Sequence, residues 1–569
     1  MQLRQLRIEH FRGIESLEWS VPSGSICLVG PGDSGKTTLL DAIHLSLAAP
    51  WSATFNDHDF YAGDVTRPIT IETTVTDIPE ALLDETKFGL YLRGWGPDGT
   101  LRDEPDDDCL PALTVRLGVD DSLEPTWSVV TDRDADGKGL SWRDRQRLGV
   151  ARVGTWVDRD FRWTRGSALA RLSGETDEID RTLAEAQRQA RRAVAGADLG
   201  QVDKPVEHAR TQAKELGVGD VADAFHAGLD VTTNDLRLAL HSNDLPISTF
   251  GQGTRRLTAL GLQLVNEGKA SMLLIDEIEH ALEPFRLRHL VRTLRARVTS
   301  ADAGAKQALC TTHSNIAVEQ FNAAELHVVR RDSGSGTVTI TAVPDSLQGH
   351  VRKHAEAFLA RRLVVCEGST EAGTVVALDD PIEGVTAAAL ANHGAVVVPG
   401  GGSSAPLVAK RFRKLGFETA LIVDSDRPLS PTPDDLRAIG VHVLQWKGNV
   451  AIEDRLALDL PAATLAQLVD NLATEVGDHV LKEMAEQLNL DLAVAGMSVV
   501  GWREGGLVSD DRLRESVRAS ARTAVGEARW FKSIRAGEAA GRAVRSCWSE
   551  IEGTELHEGF GQLLAWVTR

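Results

Sequence analysis

Nowhere in the 569 residues is there an apolar run approaching the ~18 uninterrupted residues of a membrane helix. The first residues, MQLRQLRIEHFRGIESLEW, also lack the apolar core of a signal peptide. A cytoplasmic protein with no membrane partner is therefore the expectation. Cysteine is scarce. Cys27, Cys109, Cys310, Cys366 and Cys547 are scattered and never spaced as CxxC, which argues against a disulfide framework and a zinc site. Three of them (Cys27, Cys310, Cys366) fall in apolar strand-like runs and read as core. Positive charge is in deficit: 62 Lys and Arg stand against 82 Asp and Glu, a net −20. A surface that is basic all over is excluded, but nucleic acid is not, because local patches do the binding. Residues 512–545 carry nine Lys or Arg against three Glu, and AKRFRK (Ala409 to Lys414) is a second patch. Each reads equally well as a solvated helix face. Internal repeats and long low-complexity stretches are absent. What is present is the ordinary composition of a globular protein, 42% apolar and 25% charged, with length for roughly two to four domains.

The most informative stretch is GPGDSGKTT, Gly30 to Thr38. It fits the phosphate-loop pattern, with an apolar run before it (Ile26 to Val29) and a helix-like run after it (Thr38 to Leu47). A strand entering a glycine-rich turn aims several backbone N–H groups and a helix N-terminus at one place, which suits a triphosphate. Gly30, Gly32, Asp33, Ser34, Gly35 and Thr38 would form the cradle. Lys36 would reach the β and γ phosphates, and the Thr37 hydroxyl would hold Mg²⁺. Downstream, LLIDE ends an apolar strand in Asp276 and Glu277, the Walker B arrangement. Asp276 can bind Mg²⁺ and Glu277 can orient an attacking water. Two acids after a strand mean little alone; paired with the loop upstream they are a strong sign of a nucleoside triphosphate site, whether the nucleotide is hydrolysed or only gates.

Residues 2–30 read as strand, turn, strand, and ITIETTVTD and TWSVVTD as half-exposed strands with an acidic loop ending in DEPDDD (Asp103 to Asp108) between them. From Ile179 to Ala197, and again from Val206 to Leu216, apolar residues recur in steps of three and four. This predicts a helical hairpin with small residues on its seam, either an ordinary insertion or a dimerisation arm. Strands resume at SMLLIDE, ALCTTHS and ELHVVRR, with a turn at SGSG, and residues 346–361 look helical. LVVCEG, AVVVPGGG, ALIVDSD and HVLQW are buried strands spaced by helices, hence a second α/β unit with a parallel sheet. From Ala462 onward the pattern is mostly helical.

Acids cluster in that second unit. VVCEGSTE puts Glu367 and Glu371 on either side of a strand-to-helix turn, and Asp424 and Asp426 follow the strand ALIV. These are the strand ends at which open α/β sheets place ligands. Four carboxylates meeting there would repel one another without cations. Mg²⁺ or Mn²⁺ prefer such oxygen donors, and two ions flanking a phosphodiester support its hydrolysis. Each acid alone also reads as a solvated turn carboxylate.

Three resemblances add to these readings. FGQGTRR (Phe250 to Arg256) resembles the diverged signature of RecF-like and OLD-like ABC ATPases, as does IEHFRGI near the start. That likeness implies that Gly251, Gln252 and Gly253 cap the γ-phosphate of an opposite subunit and that His313 senses the γ-phosphate. No Q-loop glutamine is found; HDF (His58 to Phe60) sits near the expected region without an assigned role. The second acid set resembles the Toprim domain, Glu367 matching its glutamate, Asp424 and Asp426 its DxD pair, and GGGSS (Gly400 to Ser404) its glycine-rich turn. Together the two halves resemble the OLD (overcoming lysogenisation defect) family, with Glu371 as an extra family acid, Glu453 in GNVAIED as a further metal ligand against which Asp454 competes, and Lys532 in WFKSIRAGEAAGR as the lysine facing the scissile phosphate.

The implied architecture is α/β: an ABC-type P-loop head (1–165 and 231–345) interrupted by a helical dimerisation insert (166–230), then a Toprim Rossmann-like domain with a helical C-terminal part (360–569). The implied activity is ATP-regulated, Mg²⁺- or Mn²⁺-dependent DNA cleavage by a homodimer or higher homo-oligomer, in bacterial defence against phage. Some members work with a UvrD-like helicase, as in Gabija systems. Two other classes stay open: a partner-triggered nuclease for RNA such as tRNA, and a non-catalytic ATP-driven sensor or scaffold.

Overall fold

A computed structural model describes residues 1–48, 53–84, 86–154, 157–163, 167–169, 238–242, 244–264, 272–299, 306–379, 390–523 and 531–569, with scattered positions between 181 and 207. The helical hairpin expected over 179–216, and with it nearly all of the 166–230 insert, lies outside the described residues. The chain folds as two compact units, Met1–Ile26 with Thr37–Thr311, and Cys27–Lys36 with Thr312–Arg569.

The opening segment is richer than strand, turn, strand. It holds β1 (Gln2–Phe11), β2 (Ile14–Ser20) and β3 (Gly24–Val29). β1 and β2 form an antiparallel hairpin in which Phe11 faces Ile14 across Arg12 and Gly13. Arg12 takes the left-handed backbone (φ 50°) that so short a link demands. After the helix Lys36–Ala48 come β4 (Ile69–Thr76), β5 (Arg93–Trp95), β6 (Leu101–Arg102), β7 (Leu110–Val119), β8 (Pro125–Val130) and β9 (Lys138–Gly139). They join β1 and β2 in one antiparallel sheet, ordered β2-β1-β4-β7-β5-β6 with β8 and β9 branching from β7. DEPDDD is a loop, but the segment before it, expected to be loop as well, carries β5 and β6. β7 was not expected, yet it pairs with β4, β5 and β8. Its first residues, Leu110 and Pro111, are exposed and blur the alternation.

The first unit also holds β10 (Val150–Val153), a small hairpin of β11 (His241–Ser242) and β12 (Leu245–Pro246), then β13 (Met272–Ile275) and β14 (Gln307–Thr311). β10, β13 and β14 run parallel, and every residue of β13 and β14 is buried. Burial on both faces is why they read as unbroken apolar runs. In the second unit β15 (Leu326–Arg331) pairs parallel with β3 and antiparallel with β16 (Val338–Ala342).

The second unit's other sheet is wholly parallel: β17 (Arg362–Cys366), β18 (Ala395–Pro399), β19 (Glu418–Val423) and β20 (His442–Gln445), in the order β18-β17-β19-β20. All four were legible as apolar runs. The chain leaves β17 toward β18, then crosses back to β19 and β20, so the order reverses between β17 and β19. In an open α/β sheet the crevice at such a reversal, at the carboxyl ends of the strands, is where ligands sit. The C-terminal helices continue the same core: Val364 and Ile422 of the sheet share it with Trp446, Trp502 and Phe560.

Candidate functional site

The phosphate loop follows β3 directly. Gly30 (φ 139°), Asp33 (φ 60°) and Gly35 (φ 95°) bend it through the left-handed region. A Cβ at Gly30 would lie 2.5 Å from the Val329 carbonyl oxygen, so no other residue fits there. Lys36, nearly buried, donates to the carbonyls of Gly30 (2.9 Å) and Pro31 (2.7 Å). It closes over the loop whose phosphate it was expected to meet. The next residue, Thr37, donates its hydroxyl to Asp276 Oδ1 at 3.0 Å, and Thr311 donates to the same oxygen at 2.7 Å. Two hard oxygen donors side by side are a fit for Mg²⁺. Glu277, just beyond β13, holds a left-handed backbone (φ 47°), a costly conformation for a non-glycine residue. Its carboxylate is 3.7 Å from His280 Nδ1.

The signature segment opens the helix Gln252–Leu264, with Gly251 exposed before it. A Cβ at Gly253 would lie 2.6 Å from the Ala281 carbonyl oxygen, which explains that glycine. His313 follows β14 and is exposed.

The acids of the second unit come together at the carboxyl ends of β17 and β19. Glu367 Oε2 accepts the Asp424 N–H at 2.9 Å, tying one strand end to the other. Asp424 Oδ1 accepts the Ile452 N–H at 2.9 Å, at the start of the helix Ile452–Asp459. Glu371 reaches back to the Gly368 N–H at 2.8 Å and caps the helix Ser369–Ala377. Glu453 meets Lys532 at 2.6 Å. The neighbouring acids Glu453 and Asp454 diverge: Asp454 faces Arg518 at 3.0 Å and accepts the Ala451 N–H, while Glu453 turns to Lys532. Asp426 stands apart. Strand alternation ends at Val423, and Asp426 is 3.8 Å from Arg427 with a carboxylate more than a third exposed. GGGSS folds back on β17, the Gly400 and Gly402 N–H groups donating to the carbonyls of Cys366 and Glu367, both at 2.7 Å.

Electrostatics bind the cluster. Burial, then repulsion from Glu371, Glu453 and Glu367, pushes Asp424 up to about 9. Burial and Glu453 push Glu371 up to about 7. Burial alone would lower the Lys532 ammonium, but Glu453, Glu371 and Asp424 raise it, so it stays charged. Carboxylates that must take up protons to coexist are a donor set that divalent cations relieve. As they stand, with their oxygens on N–H groups and on Lys532, no three Asp, Glu, His or Cys side chains among the described residues form a ready-made metal group.

Lys532 owes its place to a seam of glycines. The helix Ile534–Ser546 lies so close to the helix Ser369–Ala377 that a Cβ at Gly537 would be 2.1 Å from the Thr370 carbonyl oxygen, and one at Gly373 would be 2.1 Å from that of Ile534. Gly537→Val is expected to cost about 2 kcal/mol or more through overpacking. Thermal melting checks this: a variant melting with the wild type would show that the seam does not set the packing.

A family model described as an AAA domain, putative AbiEii toxin, Type IV TA system, matches residues 142–319. A second, described as the TOPRIM domain of overcoming lysogenization defect protein-like proteins, matches residues 358–426, the span that carries Glu367, Glu371, Asp424 and Asp426. Among curated proteins the chain is similar to the OLD nuclease of Thermus scotoductus, 27% identical over 362 residues. The chain is thus similar to OLD-type proteins in its TOPRIM span and to an AAA domain in its first part.

The chain aligns with that relative over 58% of its own length and spans only 62% of the relative. Among solved structures it is similar to an SmcHead bound to the C-winged helix domain of ScpA (13% identity, TM-score 0.33, 60% of this chain and 98% of that one). It is also similar to the SMC head domain from Thermotoga maritima (16% identity, TM-score 0.30, 60% and 100%). Several residues of the two sites escaped the sequence reading. Arg256, 1% exposed, donates to the carbonyls of Gly154 (3.0 Å), Asp276 (2.5 Å) and Glu277 (2.7 Å), and so holds the backbone that carries Glu277. A second arginine beside the signature glycines was the available signal. HDF gains a role too: Asp59 accepts from Arg12 at 2.9 Å, and Phe60 bridges Phe11.

Proposed function

We propose that the protein is an ATP-regulated, divalent-metal-dependent DNA endonuclease or nickase serving bacterial defence against phage. The observation that carries the reading is the convergence of Glu367, Glu371, Asp424 and Glu453 with Lys532 at the reversal point of the parallel sheet. Those four acids and Asp426 would hold Mg²⁺ or Mn²⁺. Bound there, such ions supply a water activated at neutral pH and charge neutralisation for a phosphodiester. The chain's own residues divide the remaining work. Lys532, kept charged by its acidic neighbours, is aimed at the scissile phosphate once a cation takes its place beside Glu453. The N–H groups of Gly400 and Gly402 hold the β17 end rigid, and the Asp424 N–H fixes the rotamer of Glu367. Nucleotide at Gly30–Thr38, in a homodimer or larger homo-oligomer, would set when the nuclease sites admit DNA.

Purified protein should nick supercoiled plasmid in Mg²⁺ or Mn²⁺, EDTA should stop it, and a structured RNA should survive. Cleavage of the RNA in preference to the plasmid would replace DNA with RNA as substrate; no cleavage of either, with or without ATP, would reduce the protein to a nucleotide-driven sensor.

A further inference from the structure

One row of alternating charges runs from the HDF turn to the Walker aspartate, wholly within the first unit. Asp59 Oδ1 meets Arg12 Nε at 2.9 Å. Arg12 Nη1 meets one oxygen of Asp41, on the helix Lys36–Ala48, and Arg152 Nη1 meets the other. Arg152 Nη2 then stands 3.6 Å from Asp276 Oδ2. Arg152 lies on β10, whose parallel register sets it opposite Leu274 of β13, two residues before Asp276. Its side chain is about one-fifth exposed and the Asp276 side chain about one-tenth, so water screens the pair poorly.

The two oxygens of Asp276 therefore do different things. Oδ1 takes the hydroxyls of Thr37 and Thr311; Oδ2 faces a cation. A magnesium ion shared by Thr37 and Asp276 would be a second cation at the same carboxylate. We propose that Arg152 is a resident counter-ion of Asp276 that competes with nucleotide-bound magnesium, and that Asp41 is the acceptor that draws Arg152 away. Arg152 is a positioning residue: it acts through Asp276. It keeps the Walker carboxylate neutralised before nucleotide arrives and sets the magnesium concentration at which the site closes. Asp41 receives Arg12 as well, so the row ties that threshold to the Arg12–Asp59 contact. The inference rests on the nucleotide-site reading above.

The two ends of the competition give opposite signs. With the full chain and a fluorescent ATP analogue titrated with Mg²⁺, Arg152→Gln is expected to lower the half-saturating Mg²⁺ by about three- to tenfold. Affinity for the analogue in EDTA should not change. Asp41→Asn, which leaves Asp276 as the carboxylate beside Arg152 among the described residues, is expected to raise the Mg²⁺ requirement by a similar factor. Arg152→Lys keeps the charge and should restore most of the wild-type requirement. Loss of packing alone would weaken binding in both variants. Movement of both in the same direction, or an unchanged requirement in Arg152→Gln, overturns the proposal. Wild-type protein that binds no analogue at all would instead overturn the nucleotide-site reading, and the inference with it.

Discussion

Asp424→Asn is expected to lower metal-dependent plasmid nicking by roughly a thousandfold or more, the scale seen when one member of a catalytic set is removed. The substitution is mild in every other respect. Asp424 is nearly buried, and the contact that the structure needs from it is Oδ1 accepting the Ile452 N–H at 2.9 Å. An asparagine oxygen can accept the same bond. What disappears is a negative charge that burial and three neighbouring glutamates already oppose. Without divalent ions the variant should therefore melt no lower than the wild type, because a neutral amide carries none of that repulsion. With Mn²⁺ the wild type should gain melting temperature, since binding to the folded state alone stabilises it, and the variant should gain less. The pairing of results is what matters: activity lost, metal-free stability kept, metal-induced stabilisation reduced. Nicking that persists in the pure variant would remove Asp424 from the site and, with it, the case for the acid cluster as the nuclease centre.

How far the sequence could go depended on the range of the interactions involved. The strands β13, β14, β17 and β19 are buried on both faces, so composition alone exposed them, and the acids that follow β13, β17 and β19 were found by position. β2 and β7 were harder. β2 carries Glu15 and Glu18 on its less buried positions, and β7 begins with an exposed Leu-Pro pair; a short window sees polar loop where the sheet sees alternation. Partnership was harder still. The convergence of Glu367 with Asp424 followed from a rule about strand ends, but the turning of Glu453 to Lys532 and of Asp454 to Arg518 depends on which helix face meets which, and no local pattern encodes it. Asp426 shows the limit of the rule. Period-two alternation holds only while the backbone is a strand, and β19 stops at Val423. The partners of Arg256 and Arg152 were illegible for a related reason: an arginine's acceptors are set by tertiary packing, here backbone carbonyls for one and two distant aspartates for the other.

Lys36→Ala should weaken ATP binding by about a hundredfold, the loss that follows from leaving buried phosphate charge without its partner. The geometry makes the result interpretable. In the structure Lys36 Nζ rests on the carbonyls of Gly30 and Pro31, at 2.9 and 2.7 Å, on the same loop. Those carbonyls belong to a loop otherwise shaped by the left-handed backbones of Gly30, Asp33 and Gly35, which alanine at 36 does not touch. The loop should keep its form, at a cost of about 1 to 3 kcal/mol for the two unmet acceptors. Thr37 and its hydroxyl bond to Asp276 also remain, so Mg²⁺ keeps its oxygen donors while the triphosphate loses its cation. Calorimetric titration with ATP, beside a thermal melt of the nucleotide-free variant, separates the two effects. Unchanged affinity in a variant that melts near the wild type would mean that Gly30–Thr38 is a structural turn and not a nucleotide cradle, and the proposed regulation by ATP would lose the site on which it rests.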